Sequence, residues 1–246
     1  MKKILFLIIS IATTLSANYT VSPMSLVLDP SESGSQQWIT VKHEGNDTGK
    51  PLAIEISVFE RDQDIHGKTF HENQEHNENF GIYPNQIILY PGEVQMVYIQ
   101  WHADYIPEIE GLYTISSKQL PIELKSSESQ TEKAAASLNI LINYEGLLQL
   151  RTEDMKAKLE IDSIEKVEGK NQMRILLNNK GNANQTMHNA KFKIKSIESG
   201  NHIILDPKTI DNNMLNRVFP GKTREIILEW PQEIEIGPVE GSLIFE

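Results

Sequence analysis

Residues 52–59, LAIEISVF, put Leu52, Ile54, Ile56 and Val58 at every second position, with Ala53, Glu55, Ser57 and Phe59 between them. Successive side chains of an extended chain point to opposite faces, so this spacing belongs to a strand with one face on a core. A helix would bring its apolar residues round every third or fourth position instead. Leu138, Ile140 and Ile142 alternate in the same way with Ser137, Asn139 and Leu141, and strand-like runs cover 21–28, 38–42, 87–89, 94–101 and 112–118. Turn signals such as Gly45-Asn46-Asp47 and Pro91-Gly92 stand between them. About seven strands before residue 150 is the number expected of an immunoglobulin-like sandwich.

A second set follows at 159–164, 173–177, 190–197, 202–205, 214–218, 225–230 and 239–245, punctuated by Gly169, Gly181-Asn182, Pro207, Pro220-Gly221 and Gly237-Pro238. The fold class expected is therefore all-β, with two immunoglobulin-like β-sandwich domains in tandem, over 18–151 and 152–246. The hinge falls near Arg151 to Asp154, where the apolar run 147–150 gives way to charge. The one low-complexity stretch, KSSESQTEKAAAS at 125–137, is polar and commits to no element.

The chain of 246 residues contains no cysteine, which excludes disulfides, thiolate metal sites and cysteine-based catalysis. Its formal net charge of −11 argues against a nucleic-acid partner, which calls for a surplus of Lys and Arg. Lys2 and Lys3, the apolar run from Ile4 to Ala12 and the small pair Ser16-Ala17 form a secretory signal over 1–17, too short in its apolar part to span a bilayer. The address expected for the remainder is the periplasm.

Enzyme signatures are missing: there is no Gly-rich phosphate loop, no G-x-S-x-G elbow and no H-E-x-x-H. His66, His71 and His76 recur every five residues in a polar segment, a spacing that aligns all three on neither a strand face nor a helix face. That segment is read as a solvated loop between strands, with adventitious zinc or copper binding as the other reading. Glu108 and Glu110 are not singled out as an acid–base pair in so acidic a chain. No catalytic residue, metal or cofactor is assigned, and the protein is not expected to be an enzyme.

Several motifs then fall in order. Phe80 to Ile99 (FGIYPNQIILYPGEVQMVYI), Glu110-Gly-Leu-Tyr113 through Gln119-Leu120-Pro121, and Leu138-Asn-Ile140-Leu-Ile142 ending at Leu148-Gln-Leu150-Arg151 resemble successive strands of the periplasmic pilus-assembly chaperones of the chaperone–usher family. In the second half, Leu177 to Asn182 (LNNKGN) and Val218 to Arg224 (VFPGKTR) are similar to that family's "N-x-G-N" and "Pro-Gly-x-x-Arg" features. The likeness covers the whole mature chain, and its divergences suggest an archaic or alternative branch.

The resemblance implies a chaperone that folds and caps pilus or fimbrial subunits by donor-strand complementation and delivers them to an outer-membrane usher. The donor strand it implies is Leu138 to Tyr144, with Leu138, Ile140 and Ile142 entering the subunit's open groove; each buried side chain is worth roughly 1.5–3 kcal/mol before ordering costs. The alternative for these three residues is that they face the protein's own core. An exposed donor strand also invites self-association. The best-known relatives hold the subunit's C-terminal carboxylate with an Arg on the first strand and a Lys on the last strand of the first domain. Ser25 and Leu147 stand at those places here, and neither can pair with a carboxylate. Lys118 and Arg151 are the candidate anchors, each with a solvated or interdomain salt-bridging role as the alternative. The rival reading of the chain is a two-domain surface adhesion or assembly protein.

Overall fold

The computed structural model describes residues 19–32, 35–45, 50–75, 77–121, 141–206 and 217–245. The signal segment 1–17, His76, Leu138 and Ile140 lie outside them. The described chain is all-β apart from one 3-10 turn at Asn77–Asn79.

The first sandwich packs two sheets. Strands β1 (Tyr19–Ser22), β3 (Gln36–His43), β8 (Val94–Trp101) and β6 (Phe80–Tyr83) form one, in the order β1-β3-β8-β6. The other runs β2 (Ser25–Leu28), β10 (Asn143–Leu150), β9 (Gly111–Leu120), β4 (Leu52–Gln63), β5 (Thr69–Glu75), with β7 (Gln86–Leu89) also pairing β4. The run 21–28 is thus divided between both sheets. The chain changes sheet at Ser22–Pro23, a cis peptide, and β2 continues parallel to β10 while every other pairing in the domain is antiparallel.

The alternation in 52–59 does what its period demands: Leu52, Ile54, Ile56 and Val58 are buried in one cluster with Tyr19, Ile39, Val41, Val97, Ile99 and Leu148. The Tyr19 hydroxyl donates to the Ser117 carbonyl at 2.8 Å, and the Tyr144 hydroxyl donates to the Tyr19 carbonyl at 2.8 Å. A buried phenol is tolerable only with such a partner.

The second sandwich has β11 (Leu159–Lys166), β12 (Gln172–Asn179) and β17 (Thr223–Glu229) in one sheet and β15 (His202–Leu205), β14 (Ala190–Ser196) and β18 (Val239–Phe245) in the other. A short pair, β13 (Gln185–Thr186) with β16 (Arg217–Val218), completes it. Met173, Ile175, Leu177, Phe192, Ile194 and Trp230 belong to its core.

Two expectations are corrected. The histidine-bearing segment is a loop only in part: His66 lies in the turn at 64–67, whereas 69–75, with His71, forms β5 on β4. The last strand of the first domain is described at Asn143–Leu150, so Asn143 and Tyr144 of the expected donor span lie on it, while 138–140 fall outside the described residues.

Candidate functional site

On β10 the residues alternate between the core and the outer face of the six-stranded sheet. Leu148 and Leu150 are fully buried in the core, and Ile142 and Tyr144 pack at its rim. Asn143, Glu145, Leu147 and Gln149 point the other way. The amides of Leu147 and Arg151 bond to the carbonyls of Met24 and Leu28, so the odd-numbered residues turn their backbone toward β2. The ladder with β2, however, covers only 147–150. By the same period, Asn143 and Glu145 turn their N–H and C=O groups to an edge on which no described strand lies. That edge is contiguous with the segment bearing Leu138, Ile140 and Ile142. Of the three, Ile142 alone is described, half-buried against the protein's own core.

The outer face of this sheet looks toward the second sandwich. Glu110, only 4% exposed, accepts from the backbone amide of Asn184 and from its Nδ2 at 2.7 Å; Nδ2 also reaches Gln149 Oε1 at 3.3 Å. Arg217 Nη1 donates to Asn184 Oδ1 at 2.7 Å. A second bridge comes from the tip of the β4–β5 hairpin. The Gln63 side chain donates to the Arg217 carbonyl at 2.6 Å and accepts from the Phe219 amide at 3.2 Å, while Lys222 pairs with Asp62 at 2.7 Å. Gly67, at φ +82°, lies against the Arg224 guanidinium, where a Cβ would stand 2.5 Å from Nε. These contacts explain the two second-domain motifs. Asn179 Nδ2 donates to the carbonyls of Ala183 and Val218, and its Oδ1 accepts from the amides of Lys158 and Gly181, so it braces the loop that carries Asn182 and Asn184 to Glu110.

Ser25 and Leu147 are register partners across β2 and β10, so the two positions that lack basic side chains are indeed adjacent. The two candidate anchors are not brought together. Lys118 is exposed and lies opposite Asn143 on β10 and Glu55 on β4, seven residues and roughly 24 Å along β9 from the junction end at Gly111. Its expected place near the cleft is therefore corrected, because the direction of β9 carries it away. Arg151 does lie at the junction, with Nη2 donating to the Met155 carbonyl at 3.3 Å.

What the fold gathers instead is a trio of arginines. Burial lowers the pKa of the Arg217 guanidinium; Glu110 opposes this and Arg151 adds to it. Arg61 on β4 is likewise lowered by burial, with Glu145 opposing and Arg217 adding. The Gln63 side chain, two residues after Arg61, holds the Arg217 carbonyl and Arg217 bonds Asn184 beside Glu110, so Arg61 and Arg217 approach the junction at which Arg151 also lies. On β9 the fully buried Thr114 hydroxyl has no hydrogen-bond partner among the described residues. Sequence reasoning missed Arg61 and Arg217, which lie on strands far apart in the chain, and passed over Glu110 as one acid among many.

No group of three or more His, Asp or Glu among the described residues could hold a metal ion. His66 faces Glu225 at 3.5 Å, whereas the His71 ring stacks on Phe59 at 4.8 Å and lies 3.4 Å from Glu145, so the two imidazoles serve different contacts.

No protein-family model matches the chain, and no curated protein matches it in sequence. Solved structures do. The chain is similar to the class 5 fimbriae chaperone CfaA, with a TM-score of 0.57 and 16% identity over 93% of this chain and 93% of that one. A chain from a chaperone–tip adhesin complex of CFA/I fimbriae biogenesis matches with a TM-score of 0.57 and 15% identity, over 92% and 98%. One from the CsuC–CsuE pre-assembly complex of the archaic chaperone–usher Csu pili of Acinetobacter baumannii matches at 0.53 and 13%, over 93% and 97%. Likeness at such identities is likeness of fold. The protein has the two-sandwich fold of the fimbrial chaperones of the chaperone–usher class.

Proposed function

We propose that the protein is a periplasmic, non-enzymatic chaperone that binds pilus or fimbrial subunits by donor-strand complementation and passes them to an outer-membrane usher. The observation that carries this reading is the edge of β10 at Asn143 and Glu145, on which no described strand lies, adjoining Ile142, in a chain with the fimbrial-chaperone fold. An incoming strand would pair with that edge, and Leu138 and Ile140, together with the part of Ile142 that its own core leaves exposed, would supply the apolar side chains a strand-deficient sandwich lacks. Residues 1–17 would be removed on export, and the working domains would be 18–151 and 152–246.

The subunit's terminal carboxylate is assigned to the arginines at the junction. Arg151 is kept from the sequence reading and Lys118 is set aside; Arg61 and Arg217 stand in its place, because charged guanidinium forks that are half-buried hold a carboxylate better than a solvated ammonium does.

The test is one substitution in the full chain, co-expressed with a single-domain pilin that the parent chain co-purifies. Ile140→Asp is expected to leave thermal stability unchanged and to abolish co-purification of the pilin, since a carboxylate in an apolar groove has no partner. A destabilised variant, or a stable one that still holds the pilin, defeats the donor-strand reading.

A further inference from the structure

The outer face of the four-stranded sheet carries an uncovered aromatic row. Trp38 on β3 is the register partner of Tyr98 on β8, and Tyr98 is the partner of Tyr83 on β6. Directly opposed residues share a face, so the three rings stand side by side across three strands. They are 47%, 42% and 77% exposed. Their strand neighbours Ile39, Val97, Ile99 and Ile82 point inward to the core, so the row is surplus to the packing of the sandwich. With strands roughly 4.8 Å apart, the rings cover a flat strip about 10 Å long.

The rim of the strip mixes polar side chains with Met96, and His102 lies 3.3 Å from Gln100. Gln36 faces Gln100 at one side, and Thr40 faces Met96 and Ser22 at the other. Farther along β3, Lys42 pairs with Glu44 at 2.8 Å. A neutral strip is unusual on a chain with a net charge of −11. It also selects its occupant. A second copy would bring one strongly acidic body against another, a basic peptide would find no carboxylate along the row, and an anionic polymer would meet the field of the whole chain. An uncharged ligand with flat apolar faces and polar edges matches the strip on every count.

We propose that this face is a platform for an uncharged β-linked sugar chain, whose pyranose rings stack their C–H faces on Trp38, Tyr98 and Tyr83 while hydroxyl or acetamido groups meet Gln36 and Gln100. The platform lies on the sheet that does not contain β10, so it goes beyond the chaperone reading and stands or falls separately from it.

The full chain is titrated with chitohexaose and with cellohexaose, followed by tryptophan fluorescence and calorimetry. Saturable binding of either sugar is expected, weakened about tenfold by Trp38→Ala and by Tyr98→Ser, the loss of one stacked ring. Both positions are half-exposed, so the thermal midpoints of the variants should match the parent's. Ile204→Ser, on an exposed position of the second sandwich, should leave binding intact. Failure of both sugars to bind, or equal binding by Trp38→Ala, overturns the proposal. A dimer in sedimentation velocity that Trp38→Ala dissolves also overturns it, by giving the face to a second copy.

Discussion

The two sandwiches share an architecture and differ in what they leave uncovered. Of the large apolar side chains that stay exposed among the described residues, fifteen lie between Met24 and Leu141 and five between Ile197 and Phe245. Ion pairs are distributed the other way. In the second sandwich Lys158 and Lys180 flank Glu160, Arg174 pairs with Glu165, and Lys195 with Glu240. Exposed pairs of that kind contribute little stability, so they mark a face kept in water more than a strengthened fold. The first sandwich carries the aromatic row and a strand edge with no described strand on it; the second supplies Asn184 and Arg217 to the junction and exposes fewer large apolar side chains. Contact surfaces are therefore expected on the first domain, with the second holding it in place.

The sharpest way to break this division of labour is Asn179→Ala. Four buried or half-buried backbone groups lose their partner at once, at about 1–3 kcal/mol for each group left unsatisfied, so the second sandwich should fail to fold at 37 °C or melt far below the parent. Circular dichroism melts would show it, and a midpoint within a few degrees of the parent would mean that the loop is held by something else.

Glu110→Ala asks how far the two sandwiches act as one body. It deprives the Asn184 amide and side chain of their acceptor and Arg217 of its nearby opposite charge, for about 2 kcal/mol in all. Calorimetry is expected to resolve two transitions where the parent gives one; a single unsplit transition in the variant would show that the Asp62–Lys222 and Gln63 contacts suffice.

The smallest effect is set by pH. Burial raises the Tyr113 phenol from 10.0 to about 12, with Glu60 and Tyr105 adding to the rise. The folded state holds that proton more tightly than the unfolded chain, so the contribution is whole below pH 10 and is lost as pH climbs toward 12. Urea midpoints of Tyr113→Phe should therefore fall less steeply over that window than the parent's. In the second sandwich the window is acidic: the Lys158 and Lys180 ammonium groups hold Glu160 down to about 2 from 4.5, so its contribution is present above 4.5 and lost below. Because both lysines stand largely in solvent, this group of three is expected to move the acid limb by an amount that salt erases.

Much of this was legible in the residues alone. Period-two alternation located β3, β4, β8, β9, β12, β14 and β18, because a strand with one buried face writes that burial into its own sequence. The Pro-Gly turns and the Asn-rich loop before Asn184 were visible for a similar reason, since local backbone needs call for particular residue types. The strand β5 was missed because TFHENQE has no apolar alternation; its place comes from the ladder with β4. Ser25 and Leu147 could be matched from aligned motifs, but Lys118 could not be placed, because the direction of β9 in the sheet decides which of its ends meets the second domain.

The sequence by itself determined which residues turn inward, where the strands lie and that two sandwiches follow one another, since side-chain period and turn chemistry act over a few neighbouring residues. Only the tertiary structure decided the neighbours across strands. Trp38, Tyr83 and Tyr98 are separated by 45 and 15 residues and become one row through register; Arg151 and Arg217 approach one junction only where the two domains close. Glu110 is an ordinary acid until Asn184, 74 residues away, removes it from water. Register and domain closure are set by long-range hydrogen bonds and core packing, and no local pattern records them.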